Sequence, residues 1–333
     1  MTVKVIIFEN SIRPPENCLG IVDIFENSNF KYQITIVDSN DSIKDHCLPS
    51  NVLIVRKIKA KEVRNATIIF GLPSNYFYIK IINIIFYKNI FINIGPGKIT
   101  KAIGIHKHPG KKIRFKIYEF IKYLIPHNYY LAADFEDAMY LATSYGRDIE
   151  FYLPIGLPKS MHMAVEFSKK RENKIGILFA PTHRWKGEIS TINKWLSNEN
   201  FINNLTNDYT LFYNNHPDDD KSIVSDKVIK TSELQNSYWK NVDILVTDYS
   251  SISHDFLAAG GKDVINVISD LSEFEKHEGK SPLPFRKQFP GNVCVTQDEF
   301  IKAINTIKPS RKEANINEYS NFWIQMILNS SKL

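Results

Sequence analysis

Residues 175–188 read "IGILFAPTHRWKGE", and this stretch decides the fold that the sequence predicts. An apolar run leads to Pro181, which cannot continue a central strand because proline has no backbone N–H to donate. Thr182, His183 and Arg184 follow at once. Apolar runs of this kind are typical of parallel strands buried on both faces, and ligands bind beyond the carboxyl ends of such strands. The stretch therefore predicts a buried parallel strand that ends at an anion site.

Similar β-rich runs alternate with helical patterns on both sides of this strand, as they do in α/β proteins. The β-rich runs lie at residues 3–8, 32–38, 51–56, 66–72, 89–95, 129–134, 149–156, 174–182, 209–217, 227–231, 243–251, 263–269 and 292–296. Helical patterns lie between them, notably at residues 111–124, 134–146, 250–261 and 297–307. The sequence therefore predicts α/β domains built on parallel sheets.

The chain has 333 residues, which is too many for one ordinary hydrophobic core. We predict an N-terminal domain over residues 1–157 and a second domain over residues 174–310. Residues 157–173 are polar and charged after a Gly-Leu-Pro turn, and we interpret them as the connection. Residues 311–333 are predicted to form a C-terminal helix that crosses back to the first domain.

Composition narrows the class of protein. Hydrophobic residues make up 43% of the chain and the formal net charge is +6, so the protein is globular and suited to anionic ligands or an anionic membrane surface. Long Lys/Arg runs are missing, which argues against a nucleic-acid partner. The three cysteines have no metal-site or redox spacing, so a cytoplasmic location is expected. The apolar region at residues 76–95 is interrupted by Lys80 and Lys88, which argues against a membrane span.

Four predicted strands in the second half end in polar clusters. These clusters lie at residues 182–184, 216–217, 247–255 and 270–279. Because the carboxyl ends of parallel strands share one edge of a sheet, the clusters are expected to converge. Hydroxyl and backbone N–H groups at a helix start favour an anion, and an arginine fork suits phosphate oxygens.

Each cluster also has a plainer interpretation. Asp248, Ser250 and Ser251 are favoured helix caps, His216 could be held by a turn at Pro217, and Arg184 could be a surface arginine. The acidic run at residues 218–220 indicates a solvated loop, because consecutive residues of a turn point in different directions. The sequence therefore predicts no metal site.

Taken together, the second half resembles the CDP-glycerol:poly(glycerophosphate) glycerophosphotransferase family of teichoic-acid and capsule polymer enzymes. The family's Ala-Pro-Thr-x-Arg motif is matched at residues 180–184, its His-Pro at 216–217 and its Thr/Ser-Asp-Tyr-Ser-Ser element at 247–251. An Asp-x-x-x-Phe/Tyr stretch that ends in Gly is similar to residues 270–279, and the Pro-Gly-x-Val segment to residues 290–293.

This resemblance implies a GT-B fold, which has two Rossmann-like domains with parallel sheets facing a central cleft. It implies that the N-terminal domain takes the acceptor and the C-terminal domain a CDP-linked donor, without metal or another cofactor. It also implies that Arg184 and His216 act on the departing group. The residues implied to bind the nucleotide phosphates are Thr182, His183, Arg184, His216, Asp248, Ser250 and Ser251.

The first half departs from the family pattern at one position. The family has Trp-His-Gly-Thr-Pro followed by Lys, and its histidine is taken as the base that activates the acceptor. Gly95 and either Lys98 or Lys101 resemble this acceptor-side loop, but Ile94 stands where the histidine belongs. His106 and His108 are the nearest candidates for a substitute base, and the alternative is that both lie in a basic surface loop.

The resemblance implies transfer of glycerol phosphate, or a related alditol phosphate, from the donor to an acceptor hydroxyl with release of CMP. A GT-B glycosyltransferase with a CMP-sugar donor, of the sialic acid or Kdo type, is the first alternative. A catalytically degenerate nucleotide-binding member is the second. We predict that Arg184→Ala and His216→Ala each remove most turnover and leave the fold intact.

Acceptors in this family are generally lipid-linked, so a polymer, glycan or lipid-linked acceptor is implied. The basic, aromatic segment at residues 106–124 could rest on an anionic membrane, or it could be a helix with an exposed cationic side. We therefore expect a bacterial cytoplasmic protein with peripheral attachment to the inner face of the membrane.

Overall fold

The computed structural model describes residues 2–9, 16–43, 46–71, 89–94, 97–100, 102–107, 113–114, 116–117, 128–169, 174–184, 188–214, 225–234, 238–312 and 315–330. The chain divides into two compact units. The first unit comprises Met1–Ile99, Ile103–His162 and Asn315–Leu333, and the second comprises Thr100–Ala102 and Met163–Ala314.

A seven-stranded parallel sheet forms the centre of the first unit. Its strands are β1 (Val3–Glu9), β2 (Tyr32–Asp38), β3 (Val52–Val55), β4 (Ile68–Phe70), β5 (Ile90–Asn93), β6 (Asn128–Leu131) and β7 (Tyr152–Leu153). They pair in the order β3-β2-β1-β4-β5-β6-β7, and every pair is parallel. The described helices that follow these strands are α1 (Glu16–Glu26), α2 (Ala60–Arg64), α3 (Gly104–Lys107), α4 (Phe135–Tyr145) and α5 (Pro158–Phe167).

A six-stranded parallel sheet forms the centre of the second unit. Its strands are β8 (Ile175–Ala180), β9 (Tyr209–Tyr213), β10 (Ile229–Lys230), β11 (Ile244–Thr247), β12 (Asp263–Val267) and β13 (Asn292–Cys294). Their order is β10-β9-β8-β11-β12-β13. The described helices here are α6 (Thr191–Leu196), α7 (Glu199–Thr206), α8 (Ile252–Ala258), α9 (Leu271–Glu278), α10 (Phe285–Gln288), α11 (Gln297–Thr306) and α12 (Ile316–Ser330), the last of which belongs to the first unit.

Both sheets confirm the predicted class, α/β with two parallel Rossmann-like sheets. The order of the second sheet reverses between β8 and β11, because the chain extends from β8 to one side and later returns to pair β11 on the other. Doubly wound sheets bind ligands beyond the carboxyl ends of the strands at such a switch point. Strand β8, which begins the stretch at residues 175–188, is one of the two strands that flank this switch point.

The predicted connection at residues 157–173 contains helix α5, and the division between the two units falls within this helix, between His162 and Met163. Helix α5 buries Met161, Met163 and Ala164, apolar residues that the surrounding polar residues conceal in the sequence. Its start packs tightly on α1 at Gly20, where a Cβ atom would lie 1.9 Å from the carbonyl oxygen of Pro158.

Helix α12 packs on the first unit. Trp323 is fully buried and its ring stacks on Phe70 of β4 with a centroid distance of 5.8 Å. The hydroxyl of Tyr319 donates to the carbonyl oxygen of Ile155 at 2.6 Å, and the left-handed Gly156 leaves the space that this contact needs. These contacts explain why the C-terminal residues belong to the first unit.

Most of the predicted helical segment at residues 111–124 lies outside the described residues. Among the residues that are described, no helix is both long and apolar enough to span a bilayer.

Candidate functional site

The switch point of the second sheet brings three of the predicted clusters together, those at residues 182–184, 247–255 and 270–279. Ala180 of β8 and Thr247 of β11 are register partners, so the residues that follow them leave the sheet side by side. The Thr247 hydroxyl donates to the carbonyl oxygen of Ala180 at 2.7 Å and ties the two strand ends together. Residues 182–184 and 248–251 therefore lie next to each other at the edge where such folds bind ligands.

Arg184 is a buried residue at this edge, bound to two carboxylates. Its Nη2 donates to Oδ2 of Asp248 at 2.8 Å and its Nε donates to Oδ2 of Asp270 at 3.0 Å. Its Nη1 donates to the carbonyl oxygen of Thr182 at 2.8 Å. Only 4% of the Arg184 side chain and 1% of the Asp248 side chain are exposed. The guanidinium therefore joins the ends of β8, β11 and β12.

The electrostatic balance keeps Arg184 charged. Burial lowers the pKa of the guanidinium, but the charges of Asp248 and Asp270, and then their hydrogen bonds, outweigh burial and raise this pKa above its usual value. A buried charge is tolerated only when it is paired and hydrogen-bonded, and Arg184 meets both conditions.

Tyr249 completes this network. Its hydroxyl donates to Oδ1 of Asp270 at 2.7 Å, and its ring stacks on Phe274 of α9 with a centroid distance of 4.0 Å. The Arg184 guanidinium lies 5.1 Å from the centre of the same ring, a cation–π arrangement. Burial raises the pKa of Tyr249, and the hydrogen bond to Asp270 and the nearby carboxylate charges raise it further. The phenol therefore stays protonated and donates.

Thr182 is held at both ends of its backbone. Its N–H donates to Oδ1 of Asp248 at 2.8 Å, and its carbonyl oxygen accepts from Arg184. The Thr182 hydroxyl oxygen is buried and finds no hydrogen-bond partner within the part of the chain that the structure describes. Buried hydroxyls are normally bonded, so a partner for this oxygen has to come from outside the described residues.

Ser250 and Ser251 precede helix α8, which begins at Ile252, two residues later than predicted. Ser251 occupies the N-cap position, yet its side chain makes no capping hydrogen bond. The Ser250 hydroxyl accepts from the N–H of Ile252 at 3.3 Å, a long bond. Capping thus accounts in part for Ser250 and leaves the Ser251 hydroxyl unexplained.

The remaining predicted residues of this site divide into two groups. His183 is half-buried between Thr182 and Arg184. His216 lies outside the described residues, as do His108 and Gly95. The roles predicted for all of these residues stay predictions.

Lys98 lies in the first unit, after β5. Its side chain is 9% exposed, and its Nζ donates to Oδ2 of Asp134 at 2.6 Å and lies 3.7 Å from Oε2 of Glu136. Asp134 also caps α4 by accepting from the N–H of Asp137 at 2.9 Å. Lys98 is therefore a paired cation at the carboxyl edge of the first sheet, among residues after β5 and β6.

The residue in place of the family's histidine has a structural role. Ile94 is half-buried and packs against the core of the first unit. His106 lies further along, on α3, where its exposed ring stacks on Tyr140 of α4 with a centroid distance of 5.1 Å. The structure thus gives His106 a packing contact on the surface of this unit.

Sequence reasoning did not assign Asp270 and Tyr249 to the site. Asp270 began the fourth predicted cluster and a family-like stretch, and Tyr249 lay within the motif at residues 247–251, but neither received a role of its own. Their positions could have indicated a role in the site, because Tyr249 follows β11 and Asp270 follows β12. These two strands are neighbours in the sheet. The burial of Arg184 against both carboxylates required the structure.

Two curated proteins resemble this chain in sequence. A "Teichoic acid poly(glycerol phosphate) polymerase" of Bacillus spizizenii is 25% identical over 218 residues, which are 59% of this chain and 53% of that protein. A "Teichoic acid glycerol-phosphate primase" of Bacillus subtilis is 26% identical over 214 residues, 59% of this chain and 54% of that protein. The chain spans about half the length of the curated relatives it matches.

The fold is similar to that of the wall teichoic acid polymerase TagF. One of its structures, of a variant soaked with CDPG, superposes with a TM-score of 0.64 at 15% sequence identity and covers 99% of this chain and 89% of that one. At this level of identity the similarity concerns the fold, and it confirms the GT-B type that the resemblance implied.

A family profile identifies the chain more directly. The profile described as CDP-Glycerol:Poly(glycerophosphate) glycerophosphotransferase matches residues 77–326, which is well over half of the sequence. It includes both strand ends at the switch point and the Lys98 segment. The chain therefore belongs to the CDP-glycerol:poly(glycerophosphate) glycerophosphotransferase family.

Proposed function

We propose that this chain moves glycerol phosphate, or a related alditol phosphate, from a CDP-linked donor to an acceptor hydroxyl and releases CMP. The reaction would serve the assembly of a bacterial cell-surface polymer. Membership of the family supports this proposal, as do the names of the two curated relatives.

One observation carries the proposal beyond the family name. The switch point of the second sheet presents Thr182, Ser250 and Ser251 on adjoining strand ends that Asp248 and Arg184 hold together. Among the residues described, the buried hydroxyl of Thr182 has no hydrogen-bond partner, and the Ser251 side chain makes no capping hydrogen bond. Hydroxyl and backbone N–H donors at the end of a parallel sheet suit the phosphates of a nucleotide.

The chemistry of the transfer is a displacement at phosphorus. The acceptor oxygen attacks the β-phosphorus of the donor, the bond from that phosphorus to the bridging oxygen breaks, and CMP leaves with the electron pair. The proton of the acceptor hydroxyl passes to a base. Catalysis of this kind consists mainly of positioning and of stabilising the charge that develops on the leaving diphosphate oxygen. We propose that His216 assists there and that no metal is needed.

The base is the open part of the mechanism. Ile94 stands in place of the family's histidine, so we propose that His106 or His108 takes the proton, with Gly95 and Lys98 on the acceptor side. The same substitution favours a second candidate function, a member that binds the nucleotide without turnover. General-base assistance contributes about 10²–10⁴-fold, so its loss would slow transfer severely and leave donor binding intact.

For the acceptor we propose a polymer, a glycan or a lipid-linked molecule that is met at the inner face of the cell membrane. The net charge of +6 supports association with an anionic surface. No nucleic-acid partner is proposed.

The test is CMP release from CDP-glycerol in the presence of a synthetic lipid-linked glycerol phosphate acceptor, with and without EDTA. The proposal expects release of CMP with an equal gain of glycerol phosphate on the acceptor, unaffected by EDTA. Binding without release would favour the nucleotide-binding candidate. Release of CMP only from CMP-sialic acid or CMP-Kdo would replace phosphate transfer by glycosyl transfer.

A further inference from the structure

Most of the donor groups of Arg184 are already bonded within the protein. Each of its three side-chain nitrogens donates at 3.0 Å or less, to Asp270, Thr182 and Asp248 respectively. Nη2 also lies 3.4 Å from Oδ1 of Asp270, so four of the five N–H groups have partners among the described residues and one remains for a phosphate oxygen.

The charge of the cluster points the same way. One guanidinium faces two carboxylates, Asp248 and Asp270, so the three groups together carry a formal charge of −1. A phosphate approaching this cluster gains little from the guanidinium, because the carboxylates offset its charge at shorter range. An arginine that recognises phosphate would instead have an unpaired fork directed at the ligand.

The cluster of Arg184, Asp248 and Asp270 holds the backbone at the ends of β8 and β11. Asp248 accepts from the N–H of Thr182 at 2.8 Å and from the N–H of Tyr249 at 2.6 Å, while Arg184 donates to the carbonyl oxygen of Thr182. The ion pair between Arg184 and Asp248 therefore fixes the backbone of both Thr182 and Tyr249.

We propose that Arg184 is a positioning residue that holds the Thr182 peptide through Asp248, and that the Thr182 hydroxyl, rather than the guanidinium, meets the phosphates of the nucleotide. The inference rests on the proposed function for the identity of that ligand. Asp270 and Tyr249 support this arrangement, because Asp270 accepts hydrogen bonds from both the Arg184 guanidinium and the Tyr249 hydroxyl.

The first measurement uses the ligand-free protein. We expect Arg184→Gln to raise the hydrogen-exchange rates of the Thr182 and Tyr249 amides by about tenfold or more, since Asp248 then loses the partner that holds it. Tyr249→Phe keeps every charge and removes one hydrogen bond, so a smaller increase at Thr182 is expected from a variant that folds. Unchanged rates at Thr182 in both variants would overturn the positioning role.

Arg311→Gln is the matched control. Arg311 is also paired with a buried carboxylate, Asp243, at 3.4 Å, but this pair lies at the opposite end of β11. Its substitution should loosen that end of the sheet and leave the amide of Thr182 as protected as in the wild type. An equal rise at Thr182 in this control would show that general loss of stability, and not positioning, is responsible.

The second measurement is a double-mutant cycle of CMP binding with Arg184→Gln and Thr182→Val. If Arg184 acts through Thr182, the double variant should bind CMP no more weakly than the weaker of the two single variants. A contact between the guanidinium and a phosphate would instead make the two losses of affinity add. Thr182→Val should weaken CMP binding without affecting binding of cytidine, whereas unchanged CMP affinity in that variant would remove the hydroxyl from the site.

These results separate the two proposals. A wild-type protein that binds no cytidine nucleotide would overturn the proposed function, and the exchange measurement would still decide whether Arg184 positions Thr182. A wild-type protein that binds CMP, with additive losses of affinity in that cycle, would overturn this inference and leave the proposed function standing.

Discussion

The guanidinium of Arg184 lies 2.8 Å from the carboxylate of Asp248, and the pair is almost completely buried at the point where the second sheet reverses its strand order. The two residues are 64 positions apart in the sequence, so they bring together strand ends that the chain reaches separately. Pairing at this place fixes the edge on which a doubly wound sheet holds its ligand.

Loss of this pair should cost stability. In Arg184→Ala the carboxylates of Asp248 and Asp270 lose their counter-ion, and the free energy of unfolding should fall by roughly 3–5 kcal/mol, as for other broken buried pairs. We therefore expect this variant to be less stable than the sequence alone predicted. Denaturant-induced unfolding measures the change. The control is Arg56→Ala, which removes an exposed pair with Asp41 and should change stability by about 1 kcal/mol or less. Equal losses in the two variants would contradict a buried, paired Arg184.

The substitute base is tested by replacing His106 and His108 together with alanine. If either imidazole takes the acceptor proton, the turnover number should fall by about 10²–10⁴-fold while the affinity for the donor stays unchanged. Tyr140→Leu serves as a control for the ring stack of His106, since it removes the packing partner and keeps the base. Turnover equal to that of the wild type in the double variant would exclude both histidines.

The packing of α12 on the first unit is tested by alanine substitution of two adjacent aromatic residues, Phe322 and Trp323. Trp323 is fully buried, so Trp323→Ala should lower the free energy of unfolding by about 3–5 kcal/mol. Phe322 is 50% exposed on the same helix, and Phe322→Ala should have an effect of about 1 kcal/mol or less. Thermal or denaturant unfolding of the two variants gives the comparison, and a larger loss from Phe322→Ala would place the wrong face of the helix against the core.

The reactivity of the thiols should distinguish the exposed Cys47 from the buried Cys18 and Cys294. Burial, reinforced by the charge of Glu299, raises the pKa of Cys294 to about 11, and burial together with the charges of Glu9 and Asp38 raises the pKa of Cys18. At pH 8 only ~10⁻³ of Cys294 is then thiolate, the reactive form.

Iodoacetamide at pH 8 should therefore modify the exposed Cys47 in the native protein, and Cys18 and Cys294 only after unfolding. Mass spectrometry of peptides from labelled protein measures the extents. Because the thiolate fraction of Cys294 grows tenfold for each pH unit below its pKa, its labelling should accelerate between pH 8 and pH 10. Equal labelling of all three thiols in folded protein would contradict the burial of Cys18 and Cys294.

The positions of the strands were predictable because buried parallel strands have continuous apolar, β-branched sequences. The run at residues 175–180 and the run at 244–247 were both located from this property alone. Their adjacency followed from the rule that polar residues after parallel strands gather at one edge of the sheet. This part of the site depends on local sequence and on general topology.

The partners of Arg184 were not predictable in the same way. Whether an arginine at a strand end binds a ligand or a carboxylate depends on which carboxylates lie within 3–4 Å of it, and Asp270 is 86 residues away in the chain. Helix α5 was missed for a related reason, since its buried apolar residues Met161, Met163 and Ala164 are few and lie among polar ones, and only packing shows that they are buried.

The most direct test of the account is a calorimetric titration of the purified protein with CDP-glycerol, alongside CMP, CMP-sialic acid and UDP, without added metal. The account predicts micromolar binding of CDP-glycerol, weaker binding of UDP, and a loss of affinity for CDP-glycerol in Thr182→Val. Failure of every cytidine nucleotide to bind would contradict the assignment of the strand ends after β8 and β11 as a nucleotide-phosphate site.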